Sequence, residues 1–195
     1  MERQIEKPLH AACAPTGSEH HYPAGSQAMT PAPMNVTLTD AEIMFAATIG
    51  LRRELEARNS GRRNRYEYGG EPFAWGKHVV GALAEKAFAK ALGLKWCAGV
   101  NTFRDVSDVA DYEVRWSRDG RLKCRPDEKD GEVLVGVAGA APVFTVQGWM
   151  LAAHAKRQEW LDAPVKNQPP AYFVPASMLY CISTLPVRAG RIEGG

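Results

Sequence analysis

Hydrophobic residues recur at helical spacing in two segments of the first half of the chain. The first segment predicts a helix over about 40–57, which begins at the capping-box pair Thr39 and Glu42. Its apolar residues repeat every three or four positions: Met44, Ala47, Leu51 and Leu55. The second segment predicts a helix over about 75–92, and Gly93 is a natural C-terminal stop for it.

Alternation of apolar and polar residues replaces the helical period in the second half. Strands are predicted over 112–116 and 122–125, joined into a hairpin by the turn at Asp119–Gly120. Two buried strands, a helix and a last strand are then predicted, in the order 132–137, 143–146, 148–161 and 172–174. This order predicts an α+β fold, in which helices flank a small mixed sheet.

Composition indicates one globular domain between two tails. Hydrophobic residues make up 45% of the chain and charged residues 24%, which excludes wholesale disorder. Five prolines separated by small residues occupy the first 35 positions, so we predict a flexible tail over 1–35, a single domain over 36–186 and a C-terminal tail over 187–195.

Charge, cysteine content and hydropathy bear on location and partners. The net charge of +2 is too small to predict a partner by itself. No run of about 18 apolar residues predicts a membrane span, and the first residues lack the apolar core of a secretory signal. The four cysteines are widely spaced, as expected of reduced thiols. We therefore expect a cytoplasmic protein with no membrane partner.

Several acidic residues occur where burial or repulsion calls for a partner. Glu85 has small or apolar neighbours on the second predicted helix, so it points inward, where a lone carboxylate is costly unless it binds something. Glu113 and Arg115 share one face of the first predicted strand, and Asp108 lies just ahead of it. Clustered carboxylates repel unless a cation neutralises them, and hard divalent ions favour such oxygen ligands. Asp111 is the alternative to Asp108 as a ligand.

The chain resembles the PD-(D/E)XK nuclease superfamily in its element order, in Asp108 and in the strand that carries Glu113 and Arg115. It is also similar to a group of small phage and bacterial proteins. The resemblance implies an αβββαβ core, here with an extra N-terminal helix. It also implies that Glu85, Asp108 and Glu113 hold Mg²⁺ or Mn²⁺, and that the protein catalyses the hydrolysis of phosphodiesters. Arg115 stands where the family usually has lysine. Because arginine stays protonated, Arg115 can stabilise charge but cannot act as a base, and Lys123 is the candidate for a migrated lysine.

Further residues are candidates for contacts with nucleic acid. Gln147 falls where some branches of the family carry a glutamine near the site. Six arginines lie between positions 52 and 65 and could neutralise phosphates: Arg52, Arg53, Arg58, Arg62, Arg63 and Arg65. Such contacts give salt-sensitive binding without sequence preference. We expect a nucleic-acid partner and favour DNA over RNA. Two further partners stay open: a protein that binds the N-terminal tail, and a second copy of the chain in the homodimer that the resemblance implies.

The leading prediction is therefore a metal-dependent nucleic-acid phosphodiester hydrolase, DNA nuclease-like and phage-associated. Arginine at position 115 keeps a second prediction open, in which the same fold lacks catalysis and binds nucleic acid or a host protein. Nucleic-acid binding that does not depend on metal would distinguish the second prediction from the first. The sequence does not distinguish internal from terminal cleavage.

Overall fold

The computed structural model describes residues 33–60, 74–96, 98–99, 108–163 and 169–186 of the chain. Its helices are α1 (Asp40–Asn59), α2 (Ala74–Leu92) and the single turn α3 (Ala152–Ala155). Its strands are β1 (Met34–Thr37), β2 (Tyr112–Ser117), β3 (Leu122–Cys124), β4 (Val133–Ala140), β5 (Val143–Leu151), β6 (Leu161–Asp162) and β7 (Ala171–Val174). This mixed architecture confirms the predicted α+β class. The predicted C-terminal tail, and all but the last three residues of the predicted N-terminal tail, lie outside the described residues.

Two small sheets divide the strands. The main sheet has the order β1-β5-β4-β2, so β2 is an edge strand in the described part of the chain. Strand β4 is parallel to β2 and antiparallel to β5. The second sheet has the order β3-β7-β6. Five consecutive residues of β4 are buried, because α2 covers one face of the main sheet and the second sheet covers the other. Val135 accordingly belongs to the core under α2, and Leu134 to the core under the second sheet.

Helices α1 and α2 pack against each other at a close approach. The predicted capping box at Thr39 and Glu42 is present at the start of α1. The buried face of α1 includes Gly50, where a Cβ atom would lie 2.5 Å from the Cα of Val79. The apolar repeat that predicted this helix is mostly on the other face, and its large members Met44, Leu51 and Leu55 are exposed. Among the described residues, neither long helix is apolar enough to cross a membrane.

The predicted hairpin between residues 112–116 and 122–125 is wrong. Strand β2 pairs with β4, whereas β3 pairs with β7 in the second sheet. The chain changes sheets at Gly120, which has a φ of +79°. The side chains of Leu122 and Cys124 then bury against Leu134 beneath the main sheet, so tertiary burial decides the pairing rather than the turn.

The predicted helix over 148–161 is also wrong. Strand β5 continues to Leu151, and only the turn α3 and the 3-10 turn Gln158–Trp160 follow. The register of β4 and β5 shifts opposite Gln147, and Gly148 has a φ of +151°, so the two residues form a bulge. A short apolar run fits a helix or a strand equally well, and here pairing with β4 selects the strand. The specific nuclease-like core that the resemblance implies is therefore not confirmed.

Candidate functional site

A tight turn brings the carboxylate of Asp108 to the edge of β2 that faces away from β4. Val109 and Tyr112 form a bridge across this turn, and Oδ2 of Asp108 accepts a hydrogen bond of 2.9 Å from the amide of Val114. The side chain of Asp108 thereby satisfies an amide on the sheet edge. Asp111, the alternative ligand, is exposed within the turn.

Arg115 gathers three carboxylates on the face of β2 that points towards the second sheet. Its Nη1 lies 3.1 Å from Oε2 of Glu113 and 3.6 Å from Oδ2 of Asp108, and its Nη2 donates to Oε1 of Glu128 at 2.9 Å. Glu113 and Arg115 share this face, as the alternation along the strand predicts. Glu128 comes from the loop between β3 and β4, and its side chain is only 7% exposed.

Glu85 points inward from α2, as predicted, and is 5% exposed. Arg53 of α1 binds both of its oxygens, with Nη1 2.5 Å from Oε1 and Nη2 2.8 Å from Oε2. The indole of Trp96 donates to Oε2 at 3.0 Å, and Nε of Arg53 donates to the carbonyl of Gly99. The inward carboxylate is therefore neutralised by an arginine of the neighbouring helix. We call the whole group the edge cluster: Arg53, Glu85, Asp108, Glu113, Arg115 and Glu128.

Burial and mutual repulsion perturb the acidic members of the edge cluster. Burial raises the pKa of Glu85 and of Glu113, and the negative charge of Asp108 raises both further. Burial also raises the pKa of Asp108, against the lowering effect of Arg115. Burial by itself would lower the pKa of Arg115, but the charges of Glu128, Glu113 and Asp108 outweigh it and raise that pKa. Both arginines therefore act as internal counter-ions for the carboxylates.

The edge cluster does not fit a divalent metal as it stands. Its oxygen ligands are of the kind that Mg²⁺ and Mn²⁺ prefer. However, the guanidinium of Arg115 takes the position between Asp108 and Glu113, and Arg53 and Trp96 occupy the oxygens of Glu85. In the described part of the chain, no group of three acidic, histidine or cysteine side chains has the spacing of a metal site.

A second charged feature lies on β3, beside the edge cluster. Leu122 and Cys124 are buried, so the flanking basic residues share the opposite face of the strand. Phe173 of β7 pairs with Lys123 of β3 and is half-buried. Its ring centroid is 4.9 Å from Cζ of Arg121 and 5.7 Å from Nζ of Lys123. We call this surface the β3 basic face, and it consists of Arg121, Lys123, Arg125 and Phe173.

Positive charges crowd around Lys123. Burial lowers the pKa of its amine, and the charges of Arg125 and Lys77 lower it further. Arg125 is also close enough to Asp108 to lower the pKa of that carboxyl. The β3 basic face therefore adjoins the edge cluster. Lys123, predicted as a catalytic lysine, lies on this face and makes a cation–aromatic contact with Phe173.

The other predicted residues are dispersed. Arg52 is exposed on α1, whereas Arg58 pairs with Glu54 at 2.6 Å. With Arg53 in the edge cluster, the three described arginines of the predicted phosphate-binding set do not form one surface. The remaining three, Arg62, Arg63 and Arg65, lie outside the described residues. Gln147 lies inside β5 rather than at a helix start, and its Oε1 is buried without a hydrogen-bond partner.

Sequence reasoning missed several residues of the site. Glu128 lies in an irregular loop, where no spacing connects it to Arg115. The sequence predicts Phe173 only as a strand residue, because its contact with Lys123 depends on the pairing of β3 with β7. The alternation of Arg121, Lys123 and Arg125 was visible in the sequence and is the signal that could have identified the β3 basic face.

Comparison with known proteins adds no relative to this picture. No protein-family model matches the chain, and no curated protein or solved structure is significantly similar to it. The resemblance to the nuclease superfamily therefore stays a prediction.

Proposed function

We propose that this chain binds the phosphate backbone of nucleic acid on the β3 basic face, without metal-dependent hydrolysis at the edge cluster. The observation that carries the proposal is the alternation of Arg121, Lys123 and Arg125 on one strand face, with Phe173 against two of them. This is the second of the two functions that the sequence leaves open.

The spacing and the electrostatics of this face both suit a chain of phosphates. Alternate strand residues are about 6.6 Å apart, which is comparable to the separation of successive phosphates along one nucleic-acid strand. Arg125, Lys77 and Arg115 lower the pKa of Lys123 and Glu128 raises it, so positive neighbours outnumber the negative one, and a bound polyanion would be attracted to this face. Arg121 also pairs with Asp119 at 2.7 Å, but both side chains are exposed and the pair is weak in water.

Phe173 favours single strands over duplexes. Arg121 and Lys123 lie over its half-buried ring, and an unpaired base can stack on the ring when phosphate binding draws a cation away from it. Such stacking contributes about 1–3 kcal/mol per base and tolerates any base. We therefore expect single-stranded DNA or RNA of any sequence to bind more tightly than duplex DNA.

Fluorescence anisotropy with labelled oligonucleotides tests the proposal. The full chain is titrated into single-stranded DNA, single-stranded RNA and duplex DNA at several salt concentrations, without divalent metal. Lys123→Gln removes one phosphate contact, which lowers the salt slope by about 0.7 and weakens single-strand binding about fivefold at 0.1 M salt. The matched control is Lys95→Gln, an equal charge change at an exposed position after α2.

Phe173→Leu separates stacking from charge. It should weaken single-strand binding while leaving the salt slope unchanged, because it removes the ring but no charge. The proposal is wrong if no nucleic acid binds at low salt. It is also wrong if Lys95→Gln weakens binding as much as Lys123→Gln, since the charge effect would then be nonspecific.

Metal-dependent hydrolysis is the second candidate function. It is favoured by the meeting of Asp108 and Glu113 at Arg115 and by the charge of Asp108, which raises the pKa of Glu85 and of Glu113. The same oligonucleotides are incubated with millimolar MgCl₂ or MnCl₂ and the products separated on a gel. Cleavage by the wild type that is lost in Glu113→Gln would replace the binding proposal with the hydrolase. Intact oligonucleotides that are nevertheless bound support binding without hydrolysis.

A further inference from the structure

One face of α1 is apolar and exposed. Met44, Leu51 and Leu55 are 69%, 39% and 46% exposed, and Thr48 lies between them on the same face. The opposite face of α1, which contains Ile49 and Gly50, is the one that packs on α2. In the described part of the chain, these exposed apolar residues of α1 therefore do not belong to the hydrophobic core.

The spacing of this face is that of a helix–helix seam. Six exposed residues follow one another at intervals of 3, 4, 3, 4 and 3 positions: Ala41, Met44, Thr48, Leu51, Leu55 and Arg58. Two helices interlock their side chains by this pattern. We call these six residues the α1 seam. The 20 residues of α1 span about 30 Å, which is long enough for such a seam.

The α1 seam is complementary to itself when two copies run antiparallel. Its intervals read the same in both directions, so a twofold axis between Thr48 and Leu51 places Met44 against Leu55 of a second copy. The same axis brings the first turn of one helix beside the last turn of the other. The first turn carries exposed Asp40, and the last turn carries Arg58, which is half-exposed although it also pairs with Glu54. Opposite helix dipoles also attract in this arrangement.

From this spacing and charge complementarity, we propose that the chain forms a twofold-symmetric dimer through an antiparallel pairing of the α1 seam. The occupant of the exposed face is thus a second copy of the same chain. Symmetric closure of this kind is the commonest form of homo-oligomer. The inference is independent of nucleic-acid binding, because the β3 basic face lies on a different element.

Sedimentation velocity of the full chain over a wide concentration range tests the dimer. The wild type should sediment with twice the mass of the 21.4 kDa chain. Leu51→Glu places two charges at the centre of the seam and should raise the dissociation constant at least 100-fold. The matched control is Met178→Glu, at a residue of similar exposure, 42%, away from α1. Circular dichroism spectra that match the wild type establish that each variant is folded.

Charge reversal tests the antiparallel orientation. Asp40→Arg should weaken the dimer about three- to tenfold, and the double variant Asp40→Arg/Asn59→Glu should recover most of the loss, since exposed position 59 faces residue 40 of the second copy and Arg58 keeps its pair with Glu54. A wild type that is monomeric at all concentrations overturns the proposal. A dimer that survives Leu51→Glu also overturns it. A double variant that does not recover dimer affinity overturns the antiparallel arrangement.

Discussion

Replacement of Arg53 by methionine tests whether the edge cluster depends on its internal counter-ions. Arg53 is the only charged partner within hydrogen-bond distance of Glu85 in the described part of the chain, and it binds both carboxylate oxygens. Methionine keeps much of the length of the side chain but removes the charge and the donors. The variant therefore leaves a buried carboxylate with one neutral donor, the indole of Trp96.

The expected loss is large for a single substitution. The side chains of Arg53 and Glu85 are 19% and 6% exposed, so the pair is mostly shielded from water. Removal of one partner from a buried ion pair costs about 3–5 kcal/mol, because the other charge stays buried without compensation. Since Trp96 still donates to Glu85, we expect the free energy of unfolding to fall by about 3–4 kcal/mol, which is a large part of the stability of a typical domain.

The loss should depend on pH. Burial raises the pKa of Glu85 above its ordinary value of 4.5, and Arg53 partly opposes this. A carboxyl with a raised pKa stabilises the folded state most below that ordinary value, and its contribution falls as pH rises through the folded pKa. Without Arg53 the folded pKa rises further, so the fall extends to higher pH. The destabilisation should therefore be small near pH 4.5 and largest above neutral pH.

Urea denaturation of the wild type and Arg53→Met at acidic and slightly alkaline pH measures this difference. Arg52→Met is the matched control, because the neighbouring arginine is exposed and its loss should change stability by about 0.5 kcal/mol or less. The double variant Arg53→Met/Glu85→Met should recover most of the loss, since an apolar pair replaces the ion pair. A destabilisation of equal size at both pH values would refute the assignment to the buried charge of Glu85.

Two further predictions concern packing and a buried thiol. Gly50→Ala should destabilise the fold by about 1–3 kcal/mol in the same urea assay, because its methyl group would meet the backbone at Val79. Gly76→Ala, which has open space around it in α2, should instead stabilise by about 0.5–1 kcal/mol, and equal effects would contradict the close approach. Cys124 is buried, and burial raises its pKa to about 12, so peptide mapping should find it unalkylated by iodoacetamide at pH 8 until the protein unfolds. Rapid labelling of Cys124 in the folded protein would show that the core under the second sheet opens.

The sequence determined the features that depend on neighbours within a few residues. The capping box at Thr39, the lengths of α1 and α2 and the positive φ of Gly93 follow from hydrogen bonds and backbone preferences that act within one or two helical turns. The inward direction of Glu85 follows from its apolar neighbours on the same helix. Alternation along β2 likewise put Glu113 and Arg115 on one face.

Only the tertiary structure decided which of these elements and side chains meet. The apolar run after Gln147 is ambiguous by itself, and it becomes a strand because β4 supplies hydrogen-bond partners from the preceding part of the chain. Arg53 is the partner of Glu85 because of the way α1 crosses α2. Glu128 is a partner of Arg115 because of the position of the β3–β4 loop. Of the carboxylates predicted to hold a metal, Asp108 and Glu113 meet at Arg115, whereas Glu85 is bound by Arg53. Contacts between residues 13 to 32 positions apart set that outcome, beyond the range of any local pattern.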